Sequence, residues 1–308
     1  MSRSPQAPAR PRPRRRSPDR PLKGLSDFAQ RPDWRRAFLA TSILVAAGLC
    51  AAPAARAAGP DKAAGALLEQ FRTTVWAEPV YLEFDLRQMP RRGDERVLHG
   101  RLWGARNSLG SVTRFEVDLG GGRFSHRFLI QSGPEPAIWV SDGPGAGARS
   151  DGAALAPVAP GLEMTPFDIQ MPYLYWLDVD VAGVERIRGR PAYDYVFTPP
   201  AEFSAANPGI RSVRSYLDTQ YGALVQSEVT GAGGNVAKTL SLLELRKVGD
   251  RWIPKDVDIR NEATRDKTRL SMTAVAAGIA ADPAAFDPSQ LGDPLAPPPA
   301  DRIKRVAQ

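Results

Sequence analysis

The sequence predicts a mainly β protein, one antiparallel sheet of about ten strands that should curl on itself, with two or three helices against it. Three observations carry this. Beyond residue 79, apolar residues recur at every second position in segment after segment, as in strands with one buried and one solvated face. Successive strands are joined by turns carrying Gly, Asn or Asp, so the long crossovers of a parallel sheet have no room. A sheet of this size does not stay flat.

The elements follow in order. Asp61 to Thr74 places Ala63, Ala64, Leu67, Leu68 and Phe71 at helical spacing after Pro60, which predicts a helix. Val80, Leu82, Phe84 and Leu86 then alternate with Tyr81, Glu83, Asp85 and Arg87, and Val97 to Ala105 resumes after the turn at 91–94. Thr113, Phe115, Val117 and Leu119 alternate, Gly120 to Gly122 turn the chain, and Phe124, His126, Phe128 and Ile130 alternate again. Ala137 to Val140 is a short apolar strand, and Gly143 to Pro160 reads as a long loop. Thr165-Pro166-Phe167-Asp168 supplies an N-cap, a proline at the first helical position and an acid two residues later. Phe167, Ile169, Met171, Leu174, Tyr175 and Leu177 make that helix apolar, and Pro172 should kink or divide it. Strands resume at Val179–Ile187, Ala192–Phe197, Val213–Asp218, Ala223–Val229, Val236–Leu245, Arg251–Arg260 and Lys267–Thr273, with Pro199 to Pro208 as a loop. The Pro-rich tail, 282–308, is expected to wrap the surface or lie loose.

The net charge of +7 misleads. Residues 1–57 hold 12 Lys and Arg against three acids, so the remainder, with 29 basic and 31 acidic residues, is slightly negative. Nucleic acid is therefore not an expected partner. Residues 1–32 read as a disordered basic extension. Residues 33–57 read as a secretory signal peptide, with Arg35-Arg36, an apolar run to Ala52 and an Ala55-Arg56-Ala57 cleavage site. An uncleaved membrane anchor is the competing reading, and Arg35-Arg36-Ala37-Phe38-Leu39 leaves general and twin-arginine export both open. The single cysteine, Cys50, follows Leu49 rather than the small residue a lipidation site needs. The expected product is a periplasmic domain over 58–281, without disulfide or thiol chemistry.

Two stretches carry a family resemblance: Thr165 through Trp176, and Val213 to Thr273 with Leu217-Asp218-Thr219-Gln220-Tyr221-Gly222, Trp252-Ile253-Pro254-Lys255 and Arg260-Asn261-Glu262. This pattern resembles the outer membrane lipoprotein-sorting proteins, relatives of the periplasmic carrier LolA, across roughly residues 65–275. The resemblance implies a half-open β-barrel with helices at one mouth, holding acyl chains of lipoproteins or other lipids on its concave face. It implies inner- or outer-membrane donor and acceptor proteins as further partners, and carries no catalytic residues. The long Gly/Ala loop and the Pro-interrupted helix depart from the classical carrier.

Physical reasoning reaches a similar site. A sheet this long has more apolar face than two or three helices cover, and an unfilled apolar face is a binding cavity. The expected lining is Leu82, Phe84, Phe115, Phe128, Tyr195, Phe197, Leu242 and Ile259, with Phe167, Ile169, Met171 and Leu174 as a lid. Each of these, taken alone, reads first as ordinary core. Catalysis has little to work with: His99 and His126 are the only histidines, on separate strands, and no nucleophile motif appears. No metal site or cofactor is expected. Arg211, Arg214, Arg265 and Lys267 read as a solvated strand edge before they read as a headgroup rim. The function expected is a non-enzymatic carrier or chaperone; the alternative is a sensor or scaffold of the same fold that binds another envelope protein. The oligomeric state stays open, with a monomer as the default.

Overall fold

Alternation of apolar and polar side chains builds one antiparallel sheet in the structure, a computed structural model describing residues 60–121, 124–248 and 251–306. The leader readings and the tips of two predicted turns lie outside those residues. The described chain opens with α1 (Pro60–Thr74), followed by β1 (Val80–Met89), β2 (Arg96–Asn107), β3 (Gly110–Asp118), β4 (His126–Gln131), β5 (Ala137–Ser141) and β6 (Ala148–Arg149). A short helix, α2 (Pro166–Gln170), precedes β7 (Asp178–Ile187) and β8 (Arg190–Thr198), and α3 (Ala201–Ala206) precedes the rest. These are β9 (Ile210–Asp218), β10 (Leu224–Gly231), β11 (Val236–Val248), β12 (Arg251–Asn261), β13 (Lys267–Ala277) and β14 (Lys304–Arg305).

Thirteen strands run in the order β6-β5-β4-β3-β2-β1-β13-β12-β11-β10-β9-β8-β7, and β14 adds to β13. The sheet curls without closing, because β6 and β7 remain its edges. Fourteen strands exceed the expected ten; β6 and β14, two residues each, carry too little sequence for a periodic signal. The 199–208 segment, read as a loop, holds α3, whose Phe203 packs into the core.

Register decides which side chains share a face. Leu82 pairs with Leu102, Leu102 with Phe115, Phe115 with Phe128 and Phe128 with Val140. On the other half Phe197 pairs with Val213, and Val213 with Val229. These rows form the inner face, and nearly all of it is apolar. Where the helical prediction met Pro172, the chain divides: α2 ends at Gln170, its C-cap Met171 takes a left-handed conformation (φ 48°), and a 3-10 turn over Pro172–Tyr175 follows. The proline cannot donate the hydrogen bond that would continue the helix.

The outer face of β1–β5 and β13 is covered by residues 282–303, beyond which Val306 joins the inner cluster. Phe286, Leu295 and Ile303 pack on Tyr81, Trp103 and Ala276, and Leu291 on Ala105, Val112 and Leu129. The tail therefore wraps the sheet, and a buried charge cluster holds it. Arg114 Nε donates to Glu116 (2.7 Å), while its Nη2 donates to the carbonyls of Asp293 (2.6 Å) and Leu291 (3.2 Å). Arg127 donates to the Gly292 carbonyl (2.6 Å), and Arg101 to Glu116 (2.6 Å).

Candidate functional site

Two apolar clusters divide the inner face. The first joins Leu82, Phe84, Phe115, Phe128 and Ile259 with Leu86, Leu98, Leu102, Ile130 and Leu270. The Phe84 and Phe115 rings stack with centroids 4.8 Å apart, and Phe128 meets Phe115 edge-on at 6.4 Å. Glycines on β2 allow this. A Cβ at Gly100 would lie 2.0 Å from the Phe84 ring, and one at Gly104 would lie 2.7 Å from the Trp76 ring. Both rings can lie flat on the sheet only because those positions carry no side chain. The second cluster joins Tyr195, Phe197, Val213 and Leu217 on strands with Ala64 and Leu68 of α1, and with Phe167, Tyr173, Leu174 and Trp176. Tyr195, fully buried, donates its hydroxyl to the Ala64 carbonyl (2.8 Å), and burial pushes its pKa up.

One continuous segment, 158–176, fills the space over both clusters. Val158, Ala159, Leu162 and Met164 belong to the first cluster and Ile169 packs against it; Phe167, Tyr173, Leu174 and Trp176 belong to the second, with Met171 packed alongside. Polar pins tie this lid down on every side. Asp168 accepts from the Thr165 backbone N–H and hydroxyl (2.8 Å each), closing a capping box, and from Lys238 Nζ (2.9 Å). Glu163 accepts from Asn261 (3.2 Å), and its N–H donates to Thr268 Oγ1 (2.7 Å). Gln170 donates to the carbonyls of Gln131 (2.8 Å) and Ala137 (3.3 Å). The Tyr173 hydroxyl hydrogen-bonds Ser227 (3.1 Å), which bonds Ser215 (2.8 Å). Burial pushes the Tyr173 pKa up to about 12, with the two serines partly opposing that rise. Arg72 Nε, on α1, donates to the Leu174 carbonyl (2.5 Å).

The fold has solved counterparts. A chain described as an outer membrane lipoprotein-sorting protein domain from Vibrio parahaemolyticus superposes with a TM-score of 0.63 at 15% identity, over 74% of this chain and 97% of its own. A DUF1329-family protein from Desulfovibrio piger gives 0.62 at 15% identity, over 75% and 99%. A LolA-superfamily protein from Nitrosomonas europaea gives 0.56 at 11% identity, over 72% and 96%. The fold is LolA-like. At these identities the likeness is one of fold. In sequence, a family described as an uncharacterized protein matches residues 164–293, from the lid to the tail, and no curated protein matches the chain.

The LolA-like sheet brings eleven of the twelve predicted residues to the two clusters. Leu82, Phe84, Phe115, Phe128 and Ile259 meet Ile169 in one; Tyr195 and Phe197 meet Phe167, Met171 and Leu174 in the other. Leu242 stands apart. It shares a face with its neighbour Val257, but the register shifts immediately after it and it is half-buried outside both clusters. Leu240, two residues earlier, packs in its place. Sequence reasoning missed Val158 to Met164, of which 158–160 fell in the predicted loop and 161–164 in no predicted element, and the polar pins. Lys238 left a signal, since it shares parity with Leu240 and Leu242 and so breaks an apolar stripe. Of the four basic residues read first as a solvated strand edge, three form ion pairs: Arg214 faces Asp194 (3.2 Å), Arg265 pairs with Glu262 (2.8 Å) and Lys267 with Asp258 (3.0 Å). His99 pairs with Asp85 (2.7 Å), and His126 pairs with Asp142 while its ring lies edge-on to Phe128 (4.7 Å). Among the described residues, no helix is long and apolar enough to cross a membrane.

Proposed function

We propose that this protein is a non-enzymatic carrier or chaperone of the bacterial periplasm, holding acyl chains of lipids or lipoproteins on the inner face of its sheet. The single observation that carries this reading is the way the inner face is covered. One segment, 158–176, lies across both apolar clusters, where a β-sandwich would bring a second sheet. Such a cover can be exchanged for a ligand of similar polarity. Each acyl CH₂ moved from water to the sheet contributes about 0.8 kcal/mol, so a chain half buried suffices for useful affinity. A LolA-like fold and the description of the Vibrio counterpart as a lipoprotein-sorting domain support the same assignment.

A second reading draws on the same filled face. A sensor or scaffold would keep its lid shut and use another surface, and the edge strand β7 follows a fully exposed Leu177 and carries a half-exposed Val184. Mass spectrometry of organic extracts, from protein purified gently out of its native envelope, separates the two. The carrier reading expects a stoichiometric lipid or acylated peptide. A clean extract, repeated after incubation with envelope lipids, would overturn it in favour of the scaffold.

A further inference from the structure

On the inner face, Lys238 stands at the end of an apolar stripe. Lys238 pairs across the sheet with Val229 on one side and Asn261 on the other, so its side chain emerges among the inner-face residues. That side chain is 20% exposed, and its partner Asp168, on the lid, is 5% exposed. Leu240 and Leu242 follow on the same face, about 7 and 13 Å further along the strand at about 3.3 Å per residue. Next to Lys238 stand Asn261 and Thr268, both also occupied by the lid, through the Glu163 carboxylate and backbone N–H. The lid thus places two carboxylates on a small polar zone from which the apolar stripe departs.

The geometry points to an anionic amphiphile as the ligand, with a carboxylate or phosphate head bound at Lys238 and an acyl chain laid along Leu240 and Leu242. This rests on the acyl-holding reading above and narrows it, because a neutral acyl ester has nothing to offer Lys238. In the closed form Asp168 stands where the ligand's head group would bind. Ligand binding then exchanges one anionic partner of Lys238 for another, so the mostly buried cation is paired in both the closed and the loaded form.

Two substitutions separate head-group binding from simple loosening of the lid, since Lys238→Met and Asp168→Asn break the same latch but only the first removes the cation. The purified full chain is titrated with hexadecanoate and with uncharged hexadecanol, with circular dichroism checking each variant's fold. The wild type is expected to prefer hexadecanoate about tenfold, the scale of a charge-assisted hydrogen bond. Asp168→Asn should keep or enlarge that preference, and Lys238→Met should abolish it while still binding hexadecanol. Millimolar inorganic phosphate should not displace hexadecanoate. A preference that survives Lys238→Met, or is lost equally in both variants, overturns the head-group site and leaves the acyl-holding reading intact. Displacement by phosphate would mark a free-anion site and also overturn it. If the wild type binds neither amphiphile, the acyl-holding reading itself fails.

Discussion

Replacing Phe167 with alanine should weaken the fold and tighten ligand binding together. Phe167 is 2% exposed, with its ring 5.7 Å from Tyr173 and 5.9 Å from Phe203. Truncating a ring so buried costs about 3–5 kcal/mol. If the lid must leave the inner face before an acyl chain can occupy it, that cost falls on the closed state and spares the loaded one. The apparent dissociation constant then drops as the competent fraction rises, by up to about 100-fold for about 3 kcal/mol. Both effects are capped at the free-energy gap between shut and open lid, because beyond it the lid opens and the side chain no longer matters. The stability lost and the affinity gained should therefore agree in size and differ in sign. Phe128→Ala is the contrast. Phe128 belongs to the sheet wall and serves open and closed forms alike, so stability falls without any gain in affinity. Urea denaturation and hexadecanoate titration on the same preparations supply both numbers. A Phe167→Ala variant that loses stability with unchanged or weaker binding would refute the displaceable lid.

Two further predictions concern charge buried on the outer face. Arg114→Met should cost about 3–5 kcal/mol, the range for removing one partner from a buried ion pair, because it deprives the fully buried Glu116 of one arginine and leaves the Leu291 and Asp293 carbonyls unpaired; calorimetry and proteolysis of the tail check this, and a loss below about 1 kcal/mol would show that Arg101 and Arg127 suffice. Burial pushes the Asp194 carboxyl above its ordinary range, Arg214 only partly countering, and neither carboxyl oxygen accepts a hydrogen bond among the described residues. An acid whose pKa is higher in the folded state loses stability above that folded value and none below the unfolded value of 3.8. Asp194→Asn should therefore be more stable than wild type at neutral pH, the difference shrinking as the pH falls through that window; a less stable variant at neutral pH would mean that the Arg214 pair outweighs burial.

Strand alternation made most of the wall legible. It places Leu82, Phe84, Phe115 and Phe128 on one face by itself, because a period of two depends only on the pleat. Leu242 escaped that logic because an irregular register between β11 and β12 is invisible in one strand read alone. Val158, Leu162 and Met164 escaped because no period links them: Pro160 and Gly161 interrupt the run, and the segment is fixed by the Val158–Met164 backbone pair (2.8 Å) and by Thr268, more than a hundred residues away. α3 is six residues long between Pro200 and Asn207, too short for helical periodicity to show. Arg114 and Glu116 alternate with Phe115 and Val117 as solvated residues would, and only the tail, some 175 residues later, reveals them as buried.

The two covers of the sheet differ in a way that bears on which of them can move. The outer cover, residues 282–303, is held by a charge cluster whose Glu116 is fully buried and whose Arg114 is 1% exposed. Lifting the tail would leave those arginines without the backbone carbonyls they now reach, and would strip shelter from a carboxylate with three cationic neighbours. The inner cover is fastened differently. Its pins are a neutral amide to two carbonyls, a tyrosine to a serine, Glu163 to Asn261 and Thr268, Arg72 to the Leu174 carbonyl, and an ion pair whose lysine keeps a fifth of its side chain in solvent. When the lid lifts, Ser215 and Ser227 still bond each other, Thr165 still caps Asp168, and Lys238 gains either water or an anion. Each released group thus keeps a partner or finds one, so the polar cost of opening is small beside the apolar area exposed. That remaining cost is apolar, and an acyl chain can offset it. The tail is therefore the harder of the two covers to lift, and the 158–176 segment is the one that the proposed acyl binding would displace.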